Sequence, residues 1–144
     1  LRQNTGKDVT RLRHGGAAGG ITAAMYALLN AQLVSGSEYC LTLSRFHDYL
    51  LQAGVVITGE GKIDLQSFYG KIPGTIANFC QKQNIPVYAV VGLAEKQVLP
   101  RFDKVFTMSQ YARSVQDSIK NAPSYLKIIA QAIVDTLYLS AYSD

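Results

Sequence analysis

The chain has 144 residues, of which 48% are hydrophobic and 17% charged, the balance of an ordered globular protein with enough chain to bury a core. The formal charge of +4 is mild, and no dense Lys/Arg run with interleaved aromatics accompanies it, which speaks against a nucleic-acid partner. No apolar run approaches the roughly 20 residues of a membrane helix, and no apolar stretch follows the first basic residues as a signal peptide requires.

The opening, "LRQNTGKDVTRLRHGG", is polar and begins at Leu1 rather than methionine. It reads as the middle of a longer polypeptide. "HGGAAGG" at 14–20 is a glycine-rich entry to a helix. Ile21, Ala24, Met25, Leu28 and Leu29 then share one helical face. Ser35-Gly36 is a turn signal. A second amphipathic helix is expected over Glu38–Gln52, anchored by Leu43, Phe46, Leu50 and Leu51. Gly54–Thr58 is a short, β-branched run, which predicts a strand buried on both faces. Pro73 in "YGKIPGTIANFCQKQN" suits the first turn of a helix, with Ile76, Phe79 and Cys80 toward the core. Ile85–Gly92 predicts the next strand, parallel to the first across a βαβ unit. Lys104–Met108 predicts a third strand. A last helix from Ala122-Pro123 carries Leu126, Ile129, Ile133 and Leu137 as its apolar stripe.

This order implies an α/β fold with a parallel sheet from about Gly54 onward. Residues 1–52, which lack a sheet of their own, are expected to belong to a different domain from residues 53–144. Cys40 and Cys80 stand among apolar neighbours, too few for a disulfide scaffold or a zinc site, and read as buried thiols of a reducing cytosol.

Ligands of open parallel sheets bind beyond the carboxyl ends of the strands. Thr58, Gly59, Glu60 and Gly61 fall at such an end, with Asp64 four residues on. A tight turn there would hold Glu60 outward. The two carboxylates could hold Mg²⁺, orient a hydroxyl, or act as base and stabiliser; a solvated surface turn is the plain alternative. Gly70-Lys71 precedes the Pro73 helix, where a lysine and free backbone N–H groups suit an anion. Lys71 is equally well an ordinary solvated lysine, and no Walker A pattern is present. "GGAAGG" could cradle phosphate or serve close packing. His14 and His47 are isolated; His47 is expected on a helix surface.

Taken together, "GGAAGG" opening a helix, "VVITGEGKIDLQS" and "YGKIPGTIA" resemble the type I glycerate kinases, whose patterns are close to GAGAAGG, LVITGEGRIDxQ and GKxPxGVA. "NIPVYAVVG" and "FDKVFTM" are similar to the strands that follow. The resemblance implies ATP- and Mg²⁺-dependent phosphorylation of D-glycerate in the cytoplasm, by a two-domain protein with its site in the cleft. This chain would be the C-terminal part, its sheet Rossmann-like or flavodoxin-like with flanking helices. It carries over Gly16, Ala17, Ala18, Gly19 and Gly20 as a glycine loop for substrate or nucleotide. It carries over Thr58, Gly59, Gly61, Gln66 and Gly70 as binding residues. Glu60, Asp64 and Lys71 become the catalytic residues, with Glu60 and Asp64 as metal ligands. His14-Gly15 departs from the family's glycine-alanine approach, Lys62 stands for the usual arginine, and "LAEKQVLPRFD" replaces a Gly-Ser-like loop.

Alternatives are a non-catalytic small-acid-binding or structural fragment of a diverged paralogue, and an unrelated nucleotide-binding α/β domain. The intact set Thr58, Glu60, Asp64, Gln66 and Lys71 favours the kinase. A sheet edge and apolar face left open would invite pairing with a second copy or limit solubility.

Overall fold

Valine, isoleucine and threonine crowd residues 55–58 and 85–91, and the sheet forms there. The computed structural model of the chain describes residues 2–142; Leu1, Ser143 and Asp144, at the outer ends of the two expected domains, lie outside the described residues. Strands β1 (Val56–Ile63), β2 (Val87–Ala94) and β3 (Lys104–Thr107) make a parallel sheet in the order β1-β2-β3. Val56 stands opposite Val87, Ile63 opposite Ala94, and Tyr88 opposite Lys104. The helices of the chain are α1 (Arg2–Thr5), α2 (Ile21–Leu29), α3 (Gly36–Leu43), α4 (Phe46–Leu50), α5 (Ile72–Gln83), α6 (Val115–Lys120) and α7 (Ala122–Ala141).

Helix α5 is the crossover between β1 and β2. Pro73 sits in its first turn, and Asn84 ends it in the left-handed region at φ 55°. Ile76, Ala77 and Cys80 are buried on the face that packs on β1 and β2. Burial pushes the Cys80 thiol up to about 11, with Asp103 adding to the shift, so it is an inert core thiol. Side chains alternate along β2, which divides them between two layers. Tyr88 packs with Ile129 and Ile133 of α7, against Val90, Phe106, Met108 and Leu137. Burying each such aliphatic side chain contributes about 1.5–3 kcal/mol, so this seam fixes α7 on the sheet.

By internal contacts the chain divides into two compact units, Leu1–Ser44 and Arg45–Asp144. The first contains α1–α3 and, among its described residues, no strand. Lys7 ties its start to α2, reaching the Tyr26 carbonyl at 3.2 Å, the Asn30 side chain, and the Tyr26 ring at 5.0 Å from its centre.

Several elements differ from their sequence patterns. The helix expected over Glu38–Gln52 is two, because Arg45 takes φ 53° and breaks it. The strand expected to end at Thr58 runs on to Ile63. Glu60 therefore lies within β1 opposite Val91, not in a turn beyond it. That strand is not buried on both faces either, since Ile57 is 51% exposed. On α2 the buried residues are Ala23 and Ala27, whereas Ile21, Met25, Leu28 and Leu29 are exposed. Cys40 is exposed rather than buried, because α3 turns Ser37 and Leu41 inward instead. Leu126, expected on the apolar stripe of the last helix, is exposed, while Ile129 and Ile133 bury as their spacing predicts. His47 is exposed on its helix, its ring edge-on to Phe79 at 4.6 Å.

Candidate functional site

Beyond β1 the chain makes one tight 3-10 turn, Leu65–Phe68, and then enters α5 through Gly70 and Lys71. Asp64 caps the turn. Its Oδ1 accepts the Gln66 N–H at 2.9 Å, and the Asp64 N–H donates to Ser67 Oγ at 3.3 Å. This reciprocal pair is a capping box. Ser67 is fully buried, and its hydroxyl donates to Glu60 Oε2 at 2.7 Å. Lys71 Nζ donates to the other oxygen, Glu60 Oε1, at 3.0 Å. A single buried serine thus joins the Glu60 carboxylate to the Asp64 backbone N–H, and both oxygens of Glu60 are held.

A second lysine works on Asp64. Lys62 Nζ lies 3.4 Å from Asp64 Oδ2 and 2.9 Å from Glu95 Oε1, at the end of β2. Burial pulls the Asp64 carboxyl up, but the Gln66 N–H and Lys62 outweigh it and hold the group below the usual carboxylate range. Glu95 is held low by Lys62 and Gln97, and Lys62 is held high by Glu95. Three carboxylates and two ammonium groups alternate here.

Position 74 explains how the turn comes so close to α5. A methyl group on Gly74 would lie 2.7 Å from the Phe68 Cα and closer still to the Ser67 carbonyl oxygen. Only glycine leaves room for that approach. On the far side, Arg101 stacks over the Phe68 ring at 4.6 Å.

Of the residues singled out in the sequence, Glu60, Asp64, Gln66 and Lys71 meet in this one network. Thr58 is buried in β1 on the same side as Glu60, two residues before it. Gly59, Gly61 and Gly70 give backbone only. The segment Gly16–Gly20 belongs to the other unit. It forms a 3-10 turn, Ala17–Gly20, leading into α2, with Ala18, Gly19 and Gly20 at φ 49°, 69° and 92°. Thr22 fastens it from α2, its hydroxyl 2.8 Å from the His14 carbonyl and 3.0 Å from that of Gly15.

Sequence reasoning missed Ser67, Gly74, Glu95 and Thr22. The Asp64-x-x-Ser67 spacing carried a capping signal for the first. Glu95, 33 residues from Lys62, carried none.

Two carboxylates suit magnesium, which takes one or two from protein and the rest from water and phosphate. Among the described residues no three His, Cys, Asp or Glu side chains converge as a metal cage. Asp64 and Glu60 are the carboxylates that could hold a cation brought with a phosphate ligand.

Residues 1–138 match the sequence profile of the Glycerate kinase family. The chain is 33% identical over 137 residues to a glycerate kinase of Halalkalibacterium halodurans, covering 92% of this chain and 36% of that protein. It is 42% identical over 85 residues to the glycerate 2-kinase of Escherichia coli K12, 59% of this chain and 22% of the relative. It superposes on a crystal structure assigned as glycerate kinase 2 from Salmonella typhimurium LT2 with a TM-score of 0.66 and 34% identity, over 97% of this chain and 37% of that one. The chain thus spans about a third of the length of the first relatives it matches. With the profile matched over nearly every residue, the chain belongs to the glycerate kinase family.

Proposed function

We propose that this chain supplies the acid–lysine turn of an enzyme that phosphorylates D-glycerate from ATP. The observation that carries the reading is Glu60, gripped on one oxygen by buried Ser67 and on the other by Lys71. A carboxylate fixed in that way is preorganised to orient a hydroxyl.

In the step, a glycerate hydroxyl oxygen bonds to the γ-phosphorus of ATP as the bond from that phosphorus to the ADP oxygen breaks. Glu60 orients the hydroxyl and accepts its proton. Lys71 and the first N–H groups of α5 face the phosphoryl oxygens and offset their charge. Asp64, kept ionised by Gln66 and Lys62, is the carboxylate at which Mg²⁺ would be held, and the cation would neutralise phosphate charge. Phosphoryl transfer asks mainly for this positioning and charge balance. Release of ADP from Mg-ATP, with and without D-glycerate, tests the reading on the polypeptide that carries this chain. Glycerate-dependent ADP release supports it. Folded protein that releases none would sink D-glycerate as the acceptor.

A further inference from the structure

The acid–lysine turn is braced by a segment far along the chain. Between β2 and β3 lies a second 3-10 segment, Lys96–Arg101. Val98 within it and Phe102 just after it are buried, at 1% and 7% exposure, so the segment is anchored in the core. It touches the turn at both ends. At its start, the Glu95 N–H donates to the Ile63 carbonyl at 3.0 Å, one residue before Asp64, and the Glu95 carboxylate holds Lys62. At its end, the Arg101 guanidinium lies over the Phe68 ring, and its Nη2 donates to Asn78 Oδ1 of α5 at 2.6 Å. The Gln81 side chain, one turn further along α5, donates to the Arg101 carbonyl at 3.4 Å. Three contacts therefore hold Phe68. These are the Arg101 guanidinium, the buried Phe102 ring with centres 5.9 Å apart, and α5, where Gly74 admits the Phe68 backbone.

We propose that Arg101 is a positioning residue for Glu60 and Lys71, an inference that rests on the kinase reading above. It acts through Phe68. That residue follows Ser67, whose hydroxyl fixes Glu60 Oε2, and comes three residues before Lys71, which holds Oε1. A shift of Phe68 carries both grips on the carboxylate with it. The guanidinium suits this task because it is planar: its face stacks on the ring while its edge donates to Asn78. The bond to Asn78 also ties the stack to α5, the helix that Lys71 enters. Arg101 thus joins the turn, the crossover helix and the β2–β3 connection at one point. A misplacement of about 1 Å caused far from the chemistry can cost about 100-fold in rate, so a brace of this kind acts on turnover. Arg101 belongs to "LAEKQVLPRFD", which departs from the family pattern, and the family motifs give no hint of it.

The test compares wild type, Arg101→Ala, Phe68→Leu and the double variant, on the polypeptide that carries this chain. Circular dichroism checks that each is folded. Hydrogen-exchange mass spectrometry reads the turn directly, whatever the substrate. In Arg101→Ala, exchange over residues 64–71 should be about tenfold faster, with residues 87–91 of β2 unchanged, the mark of local opening. Glycerate-dependent ADP release should show kcat lower by about tenfold and KM within about twofold, the pattern of an interaction that matters in the transition state. In the Phe68→Leu background, Arg101→Ala should cost little more, because the two residues act as one unit. Unchanged exchange over 64–71, faster exchange with unchanged kcat, or losses that multiply in the double variant would each overturn the proposal. Folded wild type that never turns over D-glycerate sinks the kinase reading instead, and the exchange of residues 64–71 then decides by itself whether Arg101 holds the turn.

Discussion

The glycine turn at 14–20 and the acidic turn at 60–71 both lead into helices, yet they are shaped by different forces. In the first, the backbone sets the path: His14, Ala18, Gly19 and Gly20 all take positive φ, and a Cβ on Gly16, Gly19 or Gly20 would meet nothing within 4 Å. In the second, side chains set it. Among residues 60–71 only Gly70 takes positive φ, while Asp64, Ser67, Glu60 and Lys71 hold one another by hydrogen bonds. A turn shaped by side chains brings charged groups to fixed places. A turn shaped by backbone offers N–H and C=O groups and tolerates what surrounds it. The acidic turn should therefore fail when its side chains change, and the glycine turn when its dihedral angles do.

The largest break is expected from Glu60→Gln. It keeps the shape but removes the charge that pairs Lys71 and orients the acceptor hydroxyl. Turnover should fall about 100- to 1,000-fold, the scale of losing one preorganised electrostatic contact, with the circular dichroism spectrum unchanged. A loss within a few-fold would move the chemistry elsewhere.

Gly74→Ala strikes the same turn through packing. The added methyl meets backbone atoms of Ser67 and Phe68, which cannot swing aside as a side chain would. A loss of about 3 kcal/mol is expected, read as a lower urea midpoint at constant slope. Gly16→Ala, with open space and φ −82°, should change stability by less than about 0.5 kcal/mol. Equal losses at the two positions would erase the distinction between the turns. Ser67→Ala is the next step down. It leaves Glu60 Oε2 and the Asp64 N–H without their shared partner, at about 2 kcal/mol for a buried hydrogen bond to a charged group. Its stability loss should shrink in a Glu60→Gln background, since the two positions are coupled.

These examples also mark how far the sequence could be read. The βαβ unit was legible because β-branched runs, Pro73 and the final helix's stripe all point the same way. The end of β1 was not. Gly59 and Gly61 look like a turn, but both lie inside the strand, where the close approach of β2 requires glycine at 59. The charged residues of the acidic turn were legible as a group through their resemblance to a family. The network was not, because Glu95 reaches Lys62 only after β1 and β2 pair in register. The apolar face of α2 misled for a similar reason: periodicity names a face, and only packing decides which residues of it are covered.

On the glycine turn the informative change is Ala18→Gly. Ala18 holds φ 49°, a conformation that costs an L-residue about 1–2 kcal/mol, while glycine loses more freedom on folding. The balance favours glycine by about 0.5 kcal/mol. Thermal unfolding of the two proteins should show a small rise in midpoint. A fall would mean that the Ala18 methyl makes contacts that outweigh its strain.

The smallest effect sharpens the acidic turn by pH. Glu95 is held low by its hydrogen bond to Lys62, and Lys62 is held high by Glu95. A depressed carboxylate contributes stability above its unfolded value, near 4.3, that is lost as pH falls through the folded value. A raised lysine contributes below its unfolded value, near 10.4, and loses that contribution as pH rises through the folded one. The pair is thus fully made from about pH 5 to 10. Glu95→Gln should be slightly less stable than wild type at pH 7, and the gap should narrow as pH falls through the folded value of the wild-type carboxylate. Half-molar salt should narrow it at pH 7, because both groups are solvent-accessible and screened. A gap that does not narrow as pH falls would show that Glu95 holds the end of β2 by packing, leaving Lys62 to Asp64 alone.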